Sequence, residues 1–172
     1  MTQKHIEVGI VVERRAVDSP WIDHAWTPLA VLPEPPPLPP WTELPGTPER
    51  RSIYLGAATL TLHSVDTAHF RENFQAGRAK LWVAIRPTGV EPEIEFVGVT
   101  ADPFEGEVYA ENVGDVVEAL PMPQAVAEQV LAFFEANHVE REFIKRKRHE
   151  HDPRKGGGPR PEPGTRRGEG EA

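Results

Sequence analysis

The chain contains no cysteine. Disulfides, thiolate-bound zinc or iron–sulfur centres and thiol nucleophiles are therefore excluded. It also has no apolar run approaching the roughly 20 residues a membrane-crossing helix needs. Met1–Glu7 lacks the apolar segment of a secretory signal, so a cytoplasmic protein with no membrane partner is expected. Nucleotide and hydrolase signatures are missing too: there is no G-x-x-x-x-G-K-[ST], G-x-G-x-x-G, H-E-x-x-H or G-x-S-x-G. The one glycine cluster, Gly156-Gly157-Gly158, sits in a basic stretch with no strand before it and no helix after it to cradle a phosphate.

What is present suits a soluble protein. Of 172 residues, 38% are hydrophobic and 27% charged, enough for one domain with a modest core and a tail. Residues 141–172 hold ten Lys/Arg against six acids, leaving nine basic and 21 acidic groups, net −12, for the rest. An acidic body disfavours nucleic acid and anionic membranes as partners. The expected organisation is an α+β domain over residues 1–148 and a disordered, basic, Gly/Pro-rich tail over 149–172, which has almost no apolar surface to offset the entropy of ordering. The run Lys145-Arg146-Lys147-Arg148 reads either as a solvated extension or as a contact for nucleic acid or an acidic partner.

Periodicity gives the elements. Ile6, Val8, Ile10 and Val12 alternate in a strand over Ile6–Arg14, and Trp26–Leu32 follows as a second strand stopped by Pro33. There are nineteen prolines, about twice the usual share, and eight of them fall in a loop over residues 33–48. Its polyproline part cannot enter a sheet interior and reads as a stiff connector held down by Trp41. Ser52–Ser64 reads as a long strand with Tyr54, Leu60 and Leu62 on one face, interrupted at Gly56, Ala57 and Ala58 by either a bend or the close approach of another segment. A helix from Asp66 places Phe70 and Phe74 on one side and stops at Gly77. Strands over Leu81–Arg86 and Ile94–Thr100 follow. Asp102-Pro103-Phe104-Glu105 carries a capping-box signature for a helix ending at Gly114. A strand over Val116–Leu120 and a helix over Gln124–His138 complete the series. The result is an α+β single domain: a mainly antiparallel sheet of five or six strands with two or three helices.

Candidate chemistry is sparse. Asp23-His24 has the composition of an acid/base pair, but neighbours in an extended segment point oppositely. The segment therefore reads as structural or partner-binding, with Arg14, Arg15, Trp21, Asp23, His24 and Trp26 as candidate contacts. His63 and His69 lack an identifiable third ligand, and His149-Glu150-His151 reads as adventitious chelation, so no metal site is expected. No catalytic residue and no cofactor are assigned.

Val11-Val12-Glu13-Arg14-Arg15 leading to Ser19-Pro20-Trp21-Ile22-Asp23-His24-Ala25-Trp26 resembles an uncharacterised bacterial family, domain-of-unknown-function family 3305. So do Tyr54-Leu55, Leu60-Thr61-Leu62-His63, Leu81-Trp82-Val83, Val99–Glu105, Pro121-Met122-Pro123 and His138-Val139-Glu140 through Lys145-Arg146-Lys147. The resemblance covers about residues 6–148. It implies a gene often placed beside molybdenum- or tungsten-dependent formate dehydrogenase subunits and their chaperones. The function it implies is a non-catalytic accessory protein in assembly or maturation of such an enzyme, with a dehydrogenase subunit or its maturation chaperone as partner. Some members carry a molybdopterin-guanine dinucleotide biosynthesis label, which implies a glycine-rich, lysine-bearing N-terminal loop. Here the first strand runs into Glu13-Arg14-Arg15 instead. A molybdopterin-cofactor enzyme or carrier is the alternative, and a general protein-interaction domain is the third reading.

Overall fold

The computed structural model describes residues 1–140, which include one compact unit, Met1–Val139. The tail expected over 149–172 and the basic run before it lie outside the described residues. Among the described residues, seven antiparallel strands and three α-helices make an α+β fold. Among the described residues, no helix is long and apolar enough to cross a membrane.

The strands divide between two sheets rather than forming one of five or six. The first has the order β2 (His24–Leu32), β1 (Gln3–Ala16), β4 (Arg50–His63), β3 (Thr42–Leu44); the second has β6 (Ile94–Thr100), β5 (Lys80–Pro87), β7 (Val116–Pro121). A single 3-10 turn, Ser64–Asp66, and helix α1 (Thr67–Gln75) separate β4 from β5. Both sheets turn one apolar face into a shared core. Ile6, Val8, Ile10, Val12, Leu60 and Leu62 meet Leu81, Val83, Ile85 and Leu120 there, with Phe70 of α1 and Val126, Val130 and Phe133 of α3 (Gln124–Asn137). That shared burial is the dominant stabilising term, and it explains the split: a single wide sheet would leave more apolar face uncovered.

One bulge changes the expected faces. Along β4, Ile10 pairs with Gly56 and Val11 with Tyr54, so Leu55 is the extra residue. An extra residue reverses the alternation beyond it. Ile53 and Leu55 therefore join Leu60 and Leu62 in the core, while Tyr54, expected beside those leucines, is buried on the opposite face. There its ring meets Gly9, where a Cβ would lie 3.1 Å from Tyr54 Cε2 and 3.3 Å from Pro36 Cδ. The proline-rich loop thus covers the outer face of the first sheet. It crosses the sheet edge at Pro40–Trp41 and yields a strand, β3, inside the segment read as loop. Gly56, in the segment expected to bend or to be closely approached, takes φ +137°, and Pro40 lies 3.6 Å from where its Cβ would stand.

Helix α2 (Pro103–Glu111) lies on the outer face of β5 and β6. A Cβ at Gly106 would overlap the Trp82 indole, and one at Gly98 would sit 2.5 Å from the Tyr109 hydroxyl. Asp102 caps the helix, accepting from Phe104 N at 2.9 Å, with Pro103 at the first position. The capping box is not completed. The Asp102 amide donates to Thr100 Oγ1 at 3.1 Å, and Thr100 Oγ1 donates to Glu105 Oε2 at 2.5 Å, so the hydroxyl relays what the carboxylate would have done directly. The helix stops at Glu111 rather than Gly114, because Asn112 is already extended; Gly114, at φ +94°, shapes the turn into β7.

Candidate functional site

The sheet's core-facing side continues past the last apolar residues into an open cleft of about 650 Å³. Alternation along β1 carries the face of Val12 to Arg14. Arg14 is paired on one side with Trp26 of β2 and on the other with Arg51 of β4. Trp41 and Glu43 reach in from the β3 edge, and Glu91, Pro92 and Glu93 of the β5–β6 connection close the far wall.

The rings and charges interlock. Trp26 meets Trp41 edge-on with centroids 6.1 Å apart, and the Arg14 guanidinium lies 5.7 Å from the centre of the Trp26 ring. Trp26 Nε1 donates to Glu93 Oε2 at 2.8 Å, and His24 Nδ1 lies 3.6 Å from the same oxygen. Arg51 Nε sits 3.7 Å from Glu43 Oε1. Trp41 has φ +70°, a left-handed conformation that costs a bulky residue roughly 1–2 kcal/mol. Its amide donates to Tyr54 O at 2.7 Å, which anchors that conformation.

Two arginine pairs face each other across β1 and β4, Arg14 with Arg51 and Arg15 with Arg50. Like charges directly opposite destabilise a sheet by about 0.2–1 kcal/mol. Alternation puts the first pair on the cleft side and the second on the reverse face, where Arg15 and Arg50 are exposed. The cleft therefore holds Arg14 and Arg51 against three carboxylates, Glu43, Glu91 and Glu93, while Arg15 and Arg50 mark the reverse face. That arrangement of mixed charges beside two indoles suits a partner segment that brings both polar groups and apolar parts, the rings holding the latter. Among the described residues, the cleft brings together no nucleophile and base of the kind that acyl or phosphoryl transfer requires.

Of the residues singled out in sequence, the cleft gathers Arg14 and Trp26, with His24 at its rim. Arg15 lies on the reverse face. Trp21 is 89% exposed in the β1–β2 connection, and Asp23, also exposed, contributes its carbonyl to the Val17 amide. Trp21 and Trp26 bracket a turn but not a common site. Sequence reading missed Arg51, Glu43 and Glu93, and assigned Trp41 only to holding the loop. The one available signal was the second double arginine, Arg50-Arg51, whose pairing with Arg14-Arg15 depends on strand register.

A second cluster lies where α1 meets α2. His69 Nδ1 is 2.8 Å from Asp102 Oδ2, and Asp66 stands within 4.8 Å of both ligand atoms. The Asp66 carboxyl is held above its ordinary range, first by burial and then by the Asp102 charge.

No curated protein and no solved structure matches the chain. The family model described as protein of unknown function (DUF3305) matches residues 7–147, a span that contains both clusters. With most of its length matched in this way, the chain belongs to the DUF3305 family.

Proposed function

We propose that the protein is a non-catalytic accessory factor that docks a segment of a partner protein at the sheet end lined by Arg14, Arg51, Trp26 and Trp41. The partner is a formate dehydrogenase-type subunit or its maturation chaperone, and the site of action is the cytoplasm. The observation that carries the docking reading is the pairing of Arg14 with Arg51 beside the Trp26 and Trp41 rings. Trp and Arg are the side chains most often responsible for interface affinity. The choice of partner rests on the family resemblance alone.

The test uses a strain lacking the gene. Formate dehydrogenase polypeptide is expected to be present but largely inactive and short of cofactor. Complementation by R14A/R51A or by Trp41→Gly is expected to fail. Trp41→Gly suits this purpose because glycine relieves the left-handed backbone while removing the ring. Normal formate oxidation in the deletion strain sinks the proposal. A Tm raised by GTP with magnesium would instead support the molybdopterin-enzyme alternative.

A further inference from the structure

We propose that Asp66, His69 and Asp102 form a binding site for one divalent transition-metal ion of the zinc class. The three ligand atoms lie within 4.8 Å of one another. Asp66 and His69 are three positions apart, at the end of the 3-10 turn and in the first turn of α1, which places them on one side of the chain. Asp102 enters from the N-terminus of the facing helix, α2.

The geometry is close to that of a ligand shell. Around an ion with bonds of about 2.1 Å, adjacent ligand atoms stand roughly 3.0–3.4 Å apart; His69 Nδ1 and Asp102 Oδ2, hydrogen-bonded at 2.8 Å, need only exchange the shared proton for the ion and open by a few tenths of an ångström. The widest pair, at most 4.8 Å apart, must close by no more than about 1.8 Å, within the reach of a carboxylate rotamer change at the partly exposed Asp66. The supporting shell is already in place. Asp102 Oδ1 is fixed by the Phe104 amide at 2.9 Å, leaving Oδ2 to face His69. The Phe104 ring lies against the His69 imidazole at a centroid distance of 4.5 Å.

Charge favours a cation as well. Glu105 adds a third carboxylate to the neighbourhood of Asp66. Among the described residues, no Lys or Arg pairs with Asp66, Asp102 or Glu105. Two imidazoles face this negative charge, His69 and, near Asp66, His63, whose Nδ1 is buried without a hydrogen-bond partner. One nitrogen and two oxygen ligands suit zinc and its first-row neighbours rather than calcium, which takes six to eight oxygens. Three protein ligands at a partly exposed position leave room for water, or a group from another molecule, on the ion. The ion would tie α1 to α2. This site is independent of the proposed docking surface, so failure of either leaves the other standing.

The experiment uses the untagged full chain stripped with a chelator. His149 and His151 are replaced by Ala to remove chelation by that His-x-His sequence. Calorimetric titration with Zn²⁺ is expected to give one ion per chain, and Co²⁺ is expected to give the visible absorption of a low-coordinate site. Asp66→Asn and His69→Gln are each expected to weaken binding by at least the roughly 10–100-fold that loss of a mere outer-shell partner costs. Asp66 makes no side-chain capping bond, so its replacement leaves the fold intact and carries the test even if the His69 variant misfolds. Absence of Zn²⁺ binding in the H149A/H151A chain overturns the proposal. So does unchanged affinity in Asp66→Asn.

Discussion

The Trp26 indole donates to Glu93 at 2.8 Å across 67 residues of chain, joining β2 of the first sheet to the β5–β6 connection of the second. Trp26 also packs against the common core. The same side chain therefore supports the fold and forms one wall of the cleft, whereas Trp21, five residues earlier, does neither.

Replacing the two tryptophans separately is expected to give unequal results. Trp21→Ala leaves stability within about 0.5 kcal/mol, as for other exposed sites. Trp26→Ala costs about 2–4 kcal/mol, slightly below the range for fully buried rings. Trp26→Phe keeps most of the packing and loses the bond to Glu93, at about 1 kcal/mol. Urea unfolding midpoints measure all three, and equal losses at both positions would contradict this assignment.

Gly106→Ala is expected to destabilise the protein. In an exposed helix interior, that change stabilises by about 1 kcal/mol. Here the added methyl meets the Trp82 indole, and overpacking of this kind costs about 1–3 kcal/mol. Combining it with Trp82→Leu should recover part of the loss, which a double-mutant cycle would register as coupling.

Asn73 is 3% exposed and holds three backbone groups. Its Nδ2 donates to Lys80 O and Ala101 O, both at 2.8 Å, and its Oδ1 accepts from Lys80 N at 2.9 Å. Asn73→Leu strands these groups and is expected to cost about 3 kcal/mol or more, since each buried unsatisfied group costs about 1–3. Asn73→Asp also places a carboxylate against two carbonyl oxygens. That raises its folded-state pKa, so the variant should lose stability as pH rises through the ordinary carboxylate range. Thermal melts at several pH values read both effects.

Two native groups set opposite pH dependences. The Arg86 guanidinium, bonded to Asp115 at 2.7 and 2.9 Å, lowers the Asp115 pKa. The stability it contributes is present above the ordinary carboxylate range and lost as pH falls through the lowered value. Tyr109 is pushed up to about 12 by burial and by the Glu105 charge. Between pH 10 and 12 the unfolded chain releases this proton and the folded chain keeps it, so stability falls as pH rises. Arg86→Gln should return Asp115 toward the ordinary value by NMR titration. Glu105→Gln should lower the Tyr109 midpoint in an absorbance titration.

The sequence by itself determined most of the local structure. Alternation of Ile6, Val8, Ile10 and Val12, the apolar stripe of Val126, Val130 and Phe133, and the Asp102-Pro103 start signal are short-range patterns, and each appears as an element. What the sequence could not decide depended on register and on which chain segments meet. The extra residue at Leu55 moved Tyr54 to the other face, because one inserted residue reverses a period-two pattern. The cleft requires Arg14, Trp26 and Arg51 of three strands, Trp41 just before β3 and Glu93 of a connection to converge, and only strand pairing brings them together. Asp102 reaches His69 across 33 residues in the same way. Local propensity acts over a few residues, whereas binding chemistry is assembled by packing between segments far apart in the chain. That is why the elements were legible in the sequence and both clusters were not.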